Sequence, residues 1–187
     1  MFIKVKKRKL FIAVFLIGVL YLLSVIAPGI LKHMYPMKYE DIISRYTAEY
    51  KLDLYLIAAI IKVESNYNIT AKSHKGAIGL MQIKPSTGQW IGKQIGIEGF
   101  TEEMLYDPEI NIKMGCWYIN YLLKYYNGNK QLVLAAYNGG LGNVNKWLKD
   151  EACSDDGITL KNIPFEETRR YVEKVNRAYN IYKKVYL

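Results

Sequence analysis

Glu64 follows a run, Leu54 to Val63 ("LYLIAAIIKV"), that is otherwise almost wholly apolar. At helical period its side chain shares a face with Ile57, Ile60 and Ile61, where another buried group is due. A carboxyl at such a place has two readings. In one the helix simply ends and Glu64 reaches water, because Glu is almost never fully buried unless paired. In the other a dry pocket disfavours the charged form, and Glu64 holds a proton near neutral pH as a general acid.

Other residues of suitable type stand apart along the chain. "GAIGLMQIKP" (76–85) combines Gly79, which allows a close backbone approach, with Gln82, whose amide both donates and accepts hydrogen bonds. Tyr137 and Asn138 close a helical apolar run in "AAYNGG", and by pattern alone Tyr137 reads as core. Glu167 and Tyr171 lie four apart, so both face one side of a helix, where surface pairing is the plain role for Glu167.

The segments around these residues read as helical throughout. "YEDIISRYTAEYK" is amphipathic, and Asp53 is placed to cap the helix carrying Glu64. Residues 73–85 are loop-like, with Pro85 at the next helix start. "TEEM" from Thr101 has an N-cap spacing, and "YDPEINIKMGCWYINYLLKYYNG" is a helix capped by Asp107, opened by Pro108 and followed by Gly128. "KQLVLAAYNGGLGNVNKWLKD" is helix, glycine turn, helix, and a long helix closes the chain. No alternating strand of any length is present. The fold class is all-α, with at most a small irregular β-hairpin near Gly79.

Four stretches, "ESNYN" (64–68), "GAIGLMQIKP" (76–85), "AAYNGG" (135–140) and "IPFEETRRYV" (163–172), occur in this order at sensible separations. Together they resemble the lytic transglycosylase domain of the soluble lytic transglycosylase type, glycoside hydrolase family 23, over about residues 40–185. The resemblance implies a lysozyme-like helical fold that cleaves the β-1,4 bond between N-acetylmuramic acid and N-acetylglucosamine in peptidoglycan. It implies Glu64 as the single catalytic acid and then base. It further implies Ser65, Met81, Gln82, Tyr137, Asn138, Glu167 and Tyr171 as substrate-binding residues, with Ser65 facing the cleft and Met81 lining it beside the acid. The reaction it implies consumes no water: the muramoyl C6 hydroxyl closes a 1,6-anhydro ring. No metal and no cofactor is called for.

Ordinary glycosidases use a second carboxylate as nucleophile or base. No acid occurs between Glu64 and Glu98, although one can arrive from elsewhere in the fold. A goose-type lysozyme, which is a hydrolase, and a catalytically dead wall-binding protein are the alternatives. Seventeen tyrosines suit a saccharide cleft or a helical core equally and decide nothing.

The chain begins with five cations and no acid in residues 1–9, a basic cytoplasmic segment, followed by 18 uncharged residues from Leu10 to Ala27. Residues 10–27 read as a transmembrane anchor, with a cleaved signal peptide as the rival, and the basic flank places later residues outside the cell. Residues 28–38, with two prolines, read as a linker, and 39–187 as the catalytic domain. Beyond the five cations, 21 basic and 17 acidic side chains leave a mild excess of +4. That suits an anionic wall or membrane surface, and no clustered basic patch suggests nucleic acid. The resemblance implies glycan strands as a partner and residues 10–27 imply the cell membrane, with protein partners unknown. Two histidines, and two cysteines (Cys116 and Cys153) without a CxxC, argue against zinc. The cysteines can pair, or Cys116 can be plain core.

Overall fold

The computed structural model describes residues 2–187, with side chains from Phe15 onward except Leu23. The five N-terminal cations lie outside the described side chains. Helix α1 (Phe2–Met34) carries the uncharged run 10–27, and its described side chains are exposed through Ile30. Its stretch Phe15–Met34 is long and apolar enough to cross a membrane, a property that a signal sequence shares.

The linker expected over 28–38 differs in conformation. Pro28 lies inside α1, which continues to Met34. One proline removes one backbone donor, and helix-forming runs on both sides carry the helix past it. The chain then docks rather than dangles. Tyr186 and Tyr182 donate their hydroxyls to the carbonyls of Tyr35 and Pro36 (2.9 Å each), and the Tyr35 and Tyr182 rings meet edge-on at 5.7 Å.

Seven further helices form the domain: α2 (Glu40–Tyr50), α3 (Leu54–Ser65), α4 (Pro85–Ile95), α5 (Pro108–Tyr125), α6 (Lys130–Gly139), α7 (Leu141–Trp147) and α8 (Glu166–Tyr186). The caps expected from Asp53 and Asp107 hold. Asp53 accepts from Tyr55 N and Leu56 N, Asp107 accepts from Ile110 N, and Pro85 and Pro108 open their helices. Each cap satisfies backbone donors that a helix start leaves unpaired. "TEEM" forms a 3-10 turn (Glu102–Tyr106) instead of a full helix, and Thr101 makes no side-chain cap there.

α3 is the central element. Six consecutive residues, Leu56 to Ile61, are buried, so it is apolar all round, as a helix wrapped by others must be. α8 packs along α3 and α6, and α5 packs against α2 and α6. On α8 the buried residues Thr168, Tyr171, Val172, Val175, Ala178 and Tyr182 follow the helical period.

Among the described residues there is no sheet. The hairpin expected near Gly79 is reduced to antiparallel bridges of Ile78 with Lys72 and with Ile83. Cys116 and Cys153 are both buried and unpaired.

Candidate active site

Glu64 sits in the last turn of α3, and the backbone turns sharply after it through the left-handed Asn66 (φ 51°) and Tyr67 (φ 63°). Opposite this helix end lies the tight loop 79–82. Ile78 and Ile83 exchange both backbone hydrogen bonds at 3.0 Å, and Gln82 N closes the turn onto Gly79 O at 3.2 Å. Gly79 (φ 79°) and Gln82 (φ 50°) are left-handed. Gln82 has no glycine's freedom, so its conformation stores strain held by its surroundings.

The surroundings that hold it centre on Asn111, a wholly buried side chain of α5. Its Nδ2 donates to Leu105 O (2.7 Å) and Ile78 O (3.0 Å), while its Oδ1 accepts from Met81 N (2.8 Å). Gly79 is required here for a steric reason as well. A Cβ on it would collide with Leu105 O and Asn111 Nδ2.

The loop, α3, the start of α8 and the α6–α7 turn enclose a cleft of about 550 Å³. Beside it a second depression of about 460 Å³ is lined by Val63, Arg170, Tyr171 and Lys174. Glu64, Asn138, Glu166 and Glu167 line both, so Glu64 stands where the two meet.

Burial raises the Glu64 pKa from the usual carboxylate value to about 7. The Tyr171 hydroxyl opposes this, and the Glu167 charge adds to it. The Tyr171 hydroxyl lies against the Glu64 carboxyl, near enough to favour its charged form, yet outside regular hydrogen-bond geometry. It is buried with no partner among the described residues, a donor poised to serve Glu64 or a ligand. Burial first, and then the Glu64 charge, keep both Tyr137 and Tyr171 protonated well past their usual range.

The structure sorts the expected site residues. Gln82, Tyr137, Asn138 and Glu167 line the main cleft, and Tyr171 lines the adjoining one. Gln82 commits its NH₂ to Gly79 O (2.9 Å) and Ala71 O (3.2 Å), leaving Oε1 as the acceptor. Asn138 accepts from Thr168 Oγ1 at 2.8 Å, and Tyr137 donates to Met81 O at 2.7 Å.

Two residues depart from expectation. Ser65 does not line the cleft; its hydroxyl donates to Leu80 O at 2.8 Å and ties α3 to the loop. Met81 is fully buried beneath the floor rather than in the cleft. Its thioether fills the space left by Gly115, where a Cβ would strike Met81 Sδ.

The fold also delivers two carboxylates to the cleft from the first turn of α8. Each already has a cation: Glu167 with Lys75 at 2.6 Å and Glu166 with Arg170 at 2.5 Å, all exposed. Sequence reasoning missed Asn111, Tyr118, Thr168 and Lys75. Asn111 carried a signal, since it shares the apolar stripe of Met114, Gly115 and Leu122, which is the argument that singled out Glu64.

Comparison with known proteins agrees with this geometry. The family model described as "Transglycosylase SLT domain" matches residues 41–158. The soluble lytic murein transglycosylase of Escherichia coli K12 is 37% identical over 159 residues, which cover 84% of this chain and 24% of that protein. The membrane-bound lytic murein transglycosylase C of Cronobacter sakazakii is 34% identical over 168 residues, covering 79% of this chain and 47% of that one. Among solved structures, the 70-kDa soluble lytic transglycosylase of Escherichia coli superposes with a TM-score of 0.73 at 35% identity, over 82% of this chain and 25% of that chain. An inactive mutant of the Pseudomonas aeruginosa lytic transglycosylase Slt gives 0.73 at 33% identity, over 83% of this chain and 25% of that chain. The chain thus spans between a quarter and a half of the length of these relatives.

Proposed function

Because the chain belongs to the transglycosylase SLT domain family, we propose that it is a membrane-anchored lytic transglycosylase of peptidoglycan. The observation that carries this reading is Glu64 itself, a single carboxyl raised to about 7 by burial where two depressions meet. Protonated Glu64 gives its proton to the oxygen linking N-acetylmuramic acid to N-acetylglucosamine, and the bond breaks as positive charge grows on the muramoyl ring. The substrate's N-acetyl group stabilises that charge. Glu64, now a carboxylate, takes the proton of the muramoyl C6 hydroxyl, whose oxygen closes the 1,6-anhydro ring.

In this reading Gln82 and Asn138 orient the sugar, and Tyr137 and Tyr171 steady the developing charges. Ser65 and Met81 act from beneath by fixing the loop. Glu167 biases Glu64 toward its protonated form. A hydrolytic mechanism would need a carboxylate or a held water opposite Glu64. Glu166 and Glu167 reach the cleft in exposed ion pairs with Arg170 and Lys75, so the product decides between the two courses.

The test is clearance of purified sacculi by the full-length protein in detergent. The working form is the protonated acid, so its population falls about tenfold per pH unit above the pKa. Clearance is expected to be retained below about pH 7 and to decline as pH rises through it. Binding to sacculi without release of soluble fragments at any pH would instead mark a wall-binding protein.

The anchor belongs to the same proposal. Full-length protein is expected in the membrane fraction, held by residues 10–27 in a single pass, with its catalytic part accessible from outside the cell. A mature N-terminus read at Pro28 would show a cleaved signal in its place.

A further inference from the structure

We propose that an aromatic strip on the α4–α5 face, Trp90, Trp117, Tyr121 and Tyr125, is a second carbohydrate platform that carries the glycan strand beyond the cleft. The inference rests on the glycan reading of the cleft given above.

The strip begins where the cleft ends. Thr87 of α4 and Tyr118 of α5 line the cleft. Trp90 follows Thr87 by three residues, and Tyr121 and Tyr125 follow Tyr118 by three and seven, so each helix continues one face outward. Tyr118 belongs to both regions: its ring lies 5.6 Å from Tyr137 inside the cleft and 6.0 Å from Trp90 outside it.

The rings are ordered rather than merely crowded. Trp117 and Tyr121 are nearly parallel (11°) at 5.7 Å, and Tyr118 and Tyr121 (13°) at 6.2 Å. Trp90 crosses these from α4 at 69–83°, with centroids 5.2–6.0 Å away. Tyr125 extends the row at 6.3 Å from Tyr121, and its hydroxyl accepts from Asn145 Nδ2 at 2.7 Å. Rings held this way lose little freedom when a ligand lands on them.

Core packing accounts for only part of the strip: Trp117 and Tyr121 are half-buried and pack against the core, while Trp90 and Tyr125 do not. The opposite face of α5 supplies the core through Ile112, Cys116, Ile119 and Leu122, all wholly buried. Trp90 and Tyr125 remain 37% and 47% exposed, joined through the half-buried rings of Trp117 and Tyr121, and aromatic rings left open to solvent in a connected row mark a contact surface. Its chemistry favours sugars: flat apolar faces meet the C–H faces of pyranose rings, while phenol hydroxyls and indole N–H groups meet their hydroxyls and amides. A cleft of about 550 Å³ has the size of a small-molecule site, so a polymer must leave it, and this face gives the strand a place to lie.

The test uses full-length protein in detergent carrying Glu64→Gln, so that bound strands survive, in sedimentation with peptide-free glycan strands. Adding Trp90→Ala and Tyr125→Ala is expected to weaken strand binding about tenfold. Trp90→Phe alone is expected to keep most of the binding, and every variant is expected to keep the parent's helical circular dichroism at the assay temperature. Unaltered strand binding by the double alanine variant overturns the strip and leaves the cleft reading intact. Failure of the Glu64→Gln parent to bind strands overturns both.

Discussion

Glu64→Gln is expected to abolish wall lysis while leaving the fold intact. Gln keeps the shape and a similar hydrogen-bonding outline but has no proton to give at any accessible pH. Loss of general-acid help alone costs roughly 10²–10⁴ in rate, and the same side chain must also serve as base, so the full loss is larger. Stability moves the other way. Folding raises the Glu64 pKa from 4.5 to about 7, so ionisation is harder in the folded chain than in the unfolded one. For an acid raised in this direction, stability is whole below pH 4.5, declines as pH rises through the 4.5–7 window, and stays lower above it. The neutral amide introduced by Glu64→Gln carries no such penalty. The variant is therefore expected to match wild type near pH 4 and to exceed it above pH 7 by up to about 3 kcal/mol. Melting curves at the two pH values check this, alongside sacculus digestion. Digestion near the wild-type rate would remove Glu64 from the mechanism, and identical melting at both pH values would remove its buried, raised pKa.

The second large effect belongs to Asn111, which touches no substrate in this account. Asn111→Ala strips the side-chain partner from Met81 N and Leu105 O, while Ile78 O keeps its bond from Ile83 N. Leaving a buried backbone group unpaired costs about 1–3 kcal/mol, so a total of at least about 2 kcal/mol is expected for the two groups. That is a large share of the 5–15 kcal/mol of a typical domain. Because these groups hold the strained loop 79–82, the folded fraction is also expected to lose activity through misplacement of Gln82. Thermal unfolding of the detergent-solubilised protein measures the first effect, and kcat per folded molecule the second. A destabilisation below about 1 kcal/mol with unaltered kcat would show that the loop holds itself.

Much of this architecture is written in local signals. Asp53, Pro85, Asp107 and Pro108 act within one turn of where they stand, so their helix starts are legible from sequence. Glu64 was legible because a carboxyl broke an apolar stripe. What was not legible depends on tertiary detail. Ser65 and Met81 sit within the motifs, yet their side chains turn to Leu80 O and to the space beside Gly115. The arrival of Glu166 and Glu167 at the cleft, with their cations, depends on how α8 crosses α3. Pro28 misled in the ordinary way, since a proline is a boundary signal that a long helix can absorb.

The presence of those two carboxylates makes the product, rather than any structure, the arbiter of mechanism. If Glu64 works alone, the group that accepts the glycosidic carbon is the C6 hydroxyl of the same ring, already in place. Such intramolecular positioning is worth several kcal/mol over capture of a free water. Fragments released from sacculi in ¹⁸O-labelled water should therefore end in 1,6-anhydromuramic acid. These ends should be about 18 mass units (one water) lighter than reducing ends, unlabelled, and resistant to borohydride. Fragments ending instead in reducible muramic acid that carries solvent ¹⁸O would make the protein a hydrolase and contradict the single-carboxyl mechanism.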